Sequence, residues 1–451
     1  MADAALTAET TELLQAMIRN ACVNDGTPES GDETKSAELL QTFLEGAGLD
    51  VEWYEARPGR GSVVARIEGS DPDAPSLCLM GHTDVVPVSP EGWSNDPFGG
   101  ELIRTADGQD EVWGRGAIDM LNLTSSMAVA FRHLARSGFR PKGDLIYFGV
   151  ADEEAGGVWG AEWMFDRHPE VVDADYCLTE LGGWSHVDDH GTRHVTVNVG
   201  EKGMAWRRLR VTGTPGHGSM PFGADNALVK AAAVVDRLSA YRSAPHLGVA
   251  WQAQVESFGL PGELRAAMLD PDRVYDAIAE LPVSIARGCH ALTHTTVSPN
   301  VAHGGQKTNV IPDVVDVEVD IRTVPGTTRA DVDALLADAL GDLAAHVEVT
   351  SLQESDPTES PMGNELWDTV AKHTQLAYPG ARLVPGIVVG GTDARFYRDR
   401  GRVAYGAGLF SPNIDMAAFG SRFHGHDERI DVDSLALATE FWIGIARDLL
   451  G

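Results

Sequence analysis

Leu77-Cys78-Leu79-Met80-Gly81-His82-Thr83-Asp84 is the stretch that decides the fold. An apolar run with no polar alternation is expected of a strand buried on both faces, and such strands belong to parallel sheets covered by helices. The run then breaks into histidine and aspartate. Open α/β sheets bind ligands just beyond the carboxyl ends of their strands, so the pattern sets His82 and Asp84 on a binding rim. Residues 145–151 lead in the same way into Asp152-Glu153-Glu154, and Tyr176-Cys177-Leu178 leads into Thr179-Glu180.

Helical spacing surrounds these runs. Residues 10–24 carry Leu13, Leu14, Met17 and Ile18 on one face, a second helix starts near Thr34, and residues 124–137 carry Met127, Phe131 and Leu134. Alternating helices and buried strands predict an α/β domain with a mostly parallel sheet flanked by helices. Near residue 199 the pattern changes. Residues 205–211 mix polar and apolar positions like a half-exposed strand, and a helix follows over 226–241. After a partly helical stretch to about 289 come strands over 291–297 and 314–321, a helix over 329–340 and a strand over 347–351. This β-α-β-β-α-β order predicts an inserted ferredoxin-like α+β module. A helix near Leu366, a strand near Val403 and a helix over 436–450 then resume the first domain. The expected division is 1–198 with 357–451 as a discontinuous catalytic domain, and 199–356 as the inserted one.

A length of 451 residues is too great for one ordinary core, which agrees with two domains. The formal charge of −32 argues against binding nucleic acid, which needs a basic face, and against an anionic membrane surface. Cys22, Cys78, Cys177 and Cys289 are widely spaced without a CxxC pair, so neither a disulfide framework nor a thiolate metal site is expected. The opening residues lack a basic segment followed by an apolar one, and a cytoplasmic setting is the expectation.

The chemistry lies at the strand ends. His82 and Asp84 are two apart and share a face if the chain is extended, so the Asp84 carboxylate is expected to take the imidazole's other N–H. Glu153 and Glu154 are adjacent and repel, and a cation or a shared proton must stabilise them. In extended backbone they diverge, one to ligate and the other to face an attacking water as general base. Each signal has a plain alternative when taken singly: a satisfied strand-end histidine, an acidic loop, a solvated carboxylate. Together with Asp119 and with His424-Gly425-His426-Asp427-Glu428 they make the ligand inventory of two divalent metals. An oxygen-rich set with two histidines suits zinc, with cobalt or manganese as alternatives, better than copper or an iron–sulfur cluster.

Several motifs carry a resemblance in both order and spacing. Residues 81–87 (GHTDVVP), 114–120 (GRGAIDM), 152–157 (DEEAGG), 216–221 (GHGSMP), 309–312 (NVIP), 391–395 (GTDAR) and 424–428 (HGHDE) resemble the signature of the M20 metallopeptidase family. The resemblance implies two cations bridged by Asp119, with His82 and Glu180 completing one site and Glu154 and His424 the other. It points to His424 as the ligand, with His426 as the runner-up. It further implies a cis peptide bond after Asp119, Glu153 as general base and Asp84 as partner of His82. His217 would cross a homodimer formed through the inserted lid domain to stabilise an oxyanion, Asn309, Arg322 and Arg395 would grip the substrate carboxylate, and Thr392 would also contact substrate. The implied reaction is hydrolysis of an amide next to a free carboxylate in a small acyl-amino-acid or peptide. A glutamate at position 180 resembles the acylases and carboxypeptidases, a dipeptidase being the nearest alternative. A metal-binding protein without catalysis is the alternative of another class, and it leaves Glu153 without purpose. The chain departs from the family's usual Met-Lys-Gly in having Met120-Leu121-Asn122, and it carries extra residues between about 246 and 289.

Overall fold

The computed structural model describes residues 3–106 and 108–451; residues 1, 2 and 107 of the expected segment 1–198 lie outside the described residues. The chain divides into two compact units. One comprises 1–199, 360–386 and 392–451, and the other comprises 200–359 with 387–391.

The first unit is built on a ten-stranded mixed sheet. Its central strands run in the spatial order Leu145–Val150, Leu77–His82, Tyr176–Thr179 and Val403–Gly406, each parallel to its neighbour. Gly61–Ile67 extends the sheet antiparallel on one side. Every residue of Leu77–His82 and Leu145–Val150 is buried, because helices cover both faces. Met164, Phe165, Phe396 and Tyr397 pack with Cys78, Met80, Ile146 and Phe148 on one side. Helices Ala4–Asn20, Leu121–Arg136 and Val432–Leu450 pack against one another, and Leu121–Arg136 lies on strand Leu77–His82. The parallel direction brings the ends at His82, Val150 and Thr179 to one rim.

The second unit has a four-stranded antiparallel sheet in the order Thr296–Gly304, Val314–Thr323, Gly203–Thr212, Val347–Ser355. Helices Ala227–Ala240 and Arg329–Leu340 cover one face. That is the ferredoxin-like order. Between its first helix and second strand are helices Val249–Ser257, Gly262–Met268, Val274–Ala279 and Val283–Thr293, with their own small core around Trp251, Val255, Val274 and Ile278.

Three local expectations change. The first helix stops at Asn20, because Ala21 is left-handed (φ 50°) and the chain turns so that Cys22 to Asn24 pair with Val85. The strand expected over 291–297 starts at Thr296, since helix Val283–Thr293 runs on to its end. Residues 153–155 form a tight helical turn after a left-handed Asp152 (φ 70°), not extended chain. No helix among the described residues is long and apolar enough to cross a membrane.

Two glycines give opposite expectations. A Cβ at Gly81 would lie 2.9 Å from the Thr124 Cα and closer still to its hydroxyl, where the helix crosses the strand. Gly81→Ala is expected to lower stability by about 1–3 kcal/mol through overpacking. Gly288 is exposed within helix Val283–Thr293, with nothing near its would-be Cβ, and Gly288→Ala is expected to stabilise by about 0.5–1 kcal/mol. Denaturant midpoints check both.

Candidate metal centre and active site

His82 ends its strand with both backbone groups engaged. Its carbonyl accepts from the Thr124 hydroxyl at 2.8 Å, and its N–H points at the Met120 sulfur at 3.3 Å. The ring's Nδ1 lies 2.9 Å from the Asp84 backbone oxygen and 3.5 Å from the Asp84 carboxylate. The expectation for Asp84 therefore shifts: the shorter contact to the ring is main chain. The Asp84 carboxylate instead accepts the N–H groups of Glu153 at 3.3 Å and Glu154 at 3.0 Å. It fixes the acidic turn at the next strand end.

Asp119 lies between the two histidines, followed by a cis peptide bond to Met120. Its Oδ1 is 3.3 Å from His82 Nε2, and its Oδ2 is 2.8 Å from His424 Nε2. Glu180 Oε2 is 3.5 Å from His82 Nε2, and Glu154 Oε2 is 3.6 Å from His424 Nε2. One carboxylate thus divides two groups, His82 with Glu180 and His424 with Glu154. Glu153 joins His82 and Glu180 in a cluster whose ligand atoms lie within 4.8 Å of one another, and His82, Asp119 and Glu154 form another. His426 lies elsewhere, edge-on to Trp93. The ring of His424 stacks on Phe423 with centroids 4.3 Å apart.

The charge balance fits divalent cations. Glu154 Oε1 is buried without a hydrogen-bond partner, and Asp119, Glu153, Glu154 and Glu180 crowd a rim whose cationic partners are imidazoles. Burial pushes the Glu180 carboxyl up to about 8, partly offset by His82. Burial and the charge of Glu180 hold Glu153 well above the usual range. Burial opposes a charged His424, but hydrogen bonds to Asp119 and Glu154 raise it to about 10. These shifts favour protons at the positions where cations would neutralise the same charge. His82, Asp119, Glu154, Glu180 and His424 are thus the residues that could hold two ions.

Glu428 and Asp393 are functional candidates that were given no role from sequence, although both lie within motifs, at 424–428 and 391–395. The fully buried Glu428 accepts the N–H groups of Ile118 at 2.8 Å and Asp119 at 3.1 Å and pairs with Arg115 at 2.6 Å. It thereby clamps the segment carrying Asp119 to the loop carrying His424. Only its place in the run 424–428 hints at this. Asp393 is 2 % exposed with neither carboxylate oxygen partnered, and a Cβ at Gly157 would collide with it. Burial lifts its carboxyl to about 7.

The remaining candidates are placed as follows. Arg395 donates to the carbonyl of Gly156 at 2.5 Å and that of Thr392 at 3.4 Å, and Thr392 is buried. In the second unit, His217 pairs with Val310 on a two-stranded ribbon, and just beyond it the Gly218 N–H donates to the Asn309 carbonyl. The Ser219 N–H donates to His217 Nδ1 at 3.2 Å, which leaves the neutral ring's proton on Nε2. Arg322 is paired with Asp320 at 2.9 Å beside Trp206, the surface ion pair that its alternating neighbourhood also allowed.

Fold and ligand set define a class, the metal-dependent amide hydrolases. A sequence model of Peptidase family M20/M25/M40 matches residues 78–448, and the chain belongs to that family. It is 28% identical over 401 residues to the N-fatty-acyl-amino acid synthase/hydrolase PM20D1 of Xenopus tropicalis, covering 86% of this chain and 75% of that protein. It is 30% identical over 407 residues to aminoacylase-1 of Sus scrofa, covering 88% and 86%. The fold is similar to that of the M20 family metallo-carboxypeptidase Sso-CP2 from Sulfolobus solfataricus, with a TM-score of 0.71 at 17% identity over 97% of this chain and 98% of that one.

The protonated site sets a pH dependence. A carboxyl raised to about 8 when folded, against an ordinary 4.5, binds more protons folded than unfolded between those values, so metal-free stability falls as pH rises through them. Ions that replace those protons remove the loss. The melting-temperature gap between zinc-loaded and metal-free protein is expected to widen from about pH 5 to pH 8. A constant gap in thermal scans would count against this charge balance.

Proposed function

We propose that the chain hydrolyses the amide of N-acyl-amino acids, or a peptide bond next to a free C-terminal carboxylate, using two divalent ions, zinc being the first choice. The reading is carried by one observation: the oxygens of Asp119 face His82 and His424 separately, with Glu180 beside one and Glu154 beside the other. Bound there, two divalent ions would polarise the scissile carbonyl and acidify a water.

The rest is the work of side chains. Glu153, clustered with His82 and Glu180, takes the proton of the attacking water and returns it to the leaving amine. Glu428 and the Asp84 carboxylate hold backbone N–H groups, so that Asp119, Glu153 and Glu154 keep their aim. His217, supplied by a second copy of the chain in a homodimer formed through residues 199–356, offers its Nε2–H to the oxyanion. Its Ser219 contact leaves the tautomer this role requires. Asn309, Arg322, Thr392 and Arg395 bind the substrate carboxylate, with Arg322 exchanging its Asp320 partner for the ligand. Glutamate at position 180 and the likeness to aminoacylase-1 and PM20D1 favour acyl-amino acids over dipeptides.

A panel of N-acyl-amino acids and dipeptides, assayed for free amino acid after zinc loading, tests the reading. Release from acyl-amino acids is expected; turnover of dipeptides alone would overturn the substrate choice. Glu153→Ala is expected to keep its metals and lose turnover. His217→Ala is expected to lose about 10²–10³ in kcat, as removal of an oxyanion donor does.

A further inference from the structure

A buried polar network lies behind the acidic turn and is supplied by residues that precede position 78, where the family match begins. Asn24, Glu33 and Arg60 are each 2 % exposed or less. The Asn24 amide donates to Asp84 Oδ2 at 2.9 Å and to Asp152 Oδ1 at 3.2 Å. Its carbonyl oxygen accepts from Arg60 Nη2 at 3.2 Å and from the Gly26 N–H at 3.1 Å. Carboxylates on one side and donors on the other leave a single orientation for the amide. Arg60 Nη1 pairs with Glu33 at 2.6 Å and lies 3.5 Å from Asp152. The same Glu33 oxygen accepts the Asp152 N–H at 3.2 Å. A Cβ at Gly31 would collide with the guanidinium, so the loop is shaped to admit it.

We propose that Asn24 is a positioning residue of the active site, and that Arg60 holds it in that role. Asp84 sits at one strand end and Asp152 at the neighbouring one. Without a donor between them the two carboxylates repel, and the Asp84 carboxylate is the acceptor that aims the N–H groups of Glu153 and Glu154. The Asn24 amide bridges both, and Arg60 draws on its oxygen, which polarises the N–H side toward the carboxylates. The guanidinium offsets charge on Glu33 and Asp152 at the same time. Metal affinity and base alignment therefore depend on a segment ahead of the first ligand.

The proposal rests on Glu153 and Glu154 acting as base and ligand, and its test separates the two ideas. The full chain and its Asn24→Asp and Arg60→Lys variants are loaded with zinc. A chelator titration, a circular-dichroism melt, and kcat with KM on an N-acyl-amino acid are then measured. Asn24→Asp places a third carboxylate against Asp84 and Asp152. It is expected to weaken zinc retention about 10–100-fold, in line with loss of a group that orients ligands. It is also expected to lower kcat with KM unchanged. Arg60→Lys keeps the charge but loses the fork, and is expected to shift both in the same direction by less. A lower melting temperature with parental zinc retention and kcat would assign the network to folding alone and overturn the proposal. If Asn24→Asp does not fold, Arg60→Lys decides by the same readings, and parental values there overturn it. If the parent hydrolyses no amide, the proposed function fails, while the chelator midpoints still decide for or against Asn24.

Discussion

A single aspartate carboxylate that turns one oxygen to each of two histidines, within a largely buried rim that also holds three glutamates, is the constraint the structure is organised around. Removing one carboxylate from water costs several kcal/mol, and neighbouring carboxylates raise the cost further. The rim carries that cost in two ways. Where cations are absent, protons remain on Glu153, Glu180 and His424 at pH values where isolated groups would have lost them. Around the rim, main-chain N–H groups and buried arginines supply positive ends. Glu428 is paired with Arg115, and Glu33 and Asp152 lie against Arg60. Removing one partner from such a pair leaves an uncompensated buried charge, so the scaffold of the site is also part of the stability of the unit.

Much of this was legible in the sequence, because fold and site share one signal. An apolar strand buried on both faces has to end where its sheet does, and the residue after it is forced onto the rim; Leu77 to Asp84 states both facts at once. The ferredoxin-like module was legible because a half-exposed sheet alternates in sequence, as Gly203–Thr212 and Val314–Thr323 do. What escaped depends on atoms that pattern does not encode. The nearer partner of the His82 ring is a carbonyl, which every residue has, with the Asp84 carboxylate behind it at 3.5 Å. Glu428 meets Ile118 and Asp119 across 310 and 309 positions. Asn24 was read as the end of a helix, since periodicity cannot show that Ala21 turns left-handed to let the chain pair with Val85. Helix propensity near residue 291 likewise outlasted the apolar run that looked like a strand.

The carboxylates of Glu153 and Glu154, expected to diverge by pleating, do so by another route. Pleating would send neighbouring side chains to opposite faces of a sheet, and one of them would then point into the helices that cover it. The tight turn after Asp152 keeps both at the rim while giving them different neighbours, Glu153 toward Glu180 and Glu154 toward His424. A left-handed aspartate is an uncommon conformation. Here its side chain accepts from the Trp159 N–H and the Asn24 amide, while its own N–H reaches Glu33, so surrounding hydrogen bonds hold the backbone there.

A division of labour follows between side chains that could hold ions and backbone that carries their aim. His82 is oriented by the carbonyl of Asp84, Asp119 through its own N–H, and Glu153 and Glu154 through theirs. A bond to the main-chain N–H fixes where each carboxylate's side chain begins, on a backbone with only two soft torsions per residue. It also makes the site dependent on the path of the chain more than on ligand identity. A substitution that leaves all five candidate ligands in place but moves the crossing at Gly81 and Thr124 shifts the His82 carbonyl, and with it the ring. In a site built this way, glycines and hydroxyls behind the rim bear on metal affinity as directly as the second partner of a ligand does. That is why the residues that hold the backbone are as much a part of the centre as those that face it.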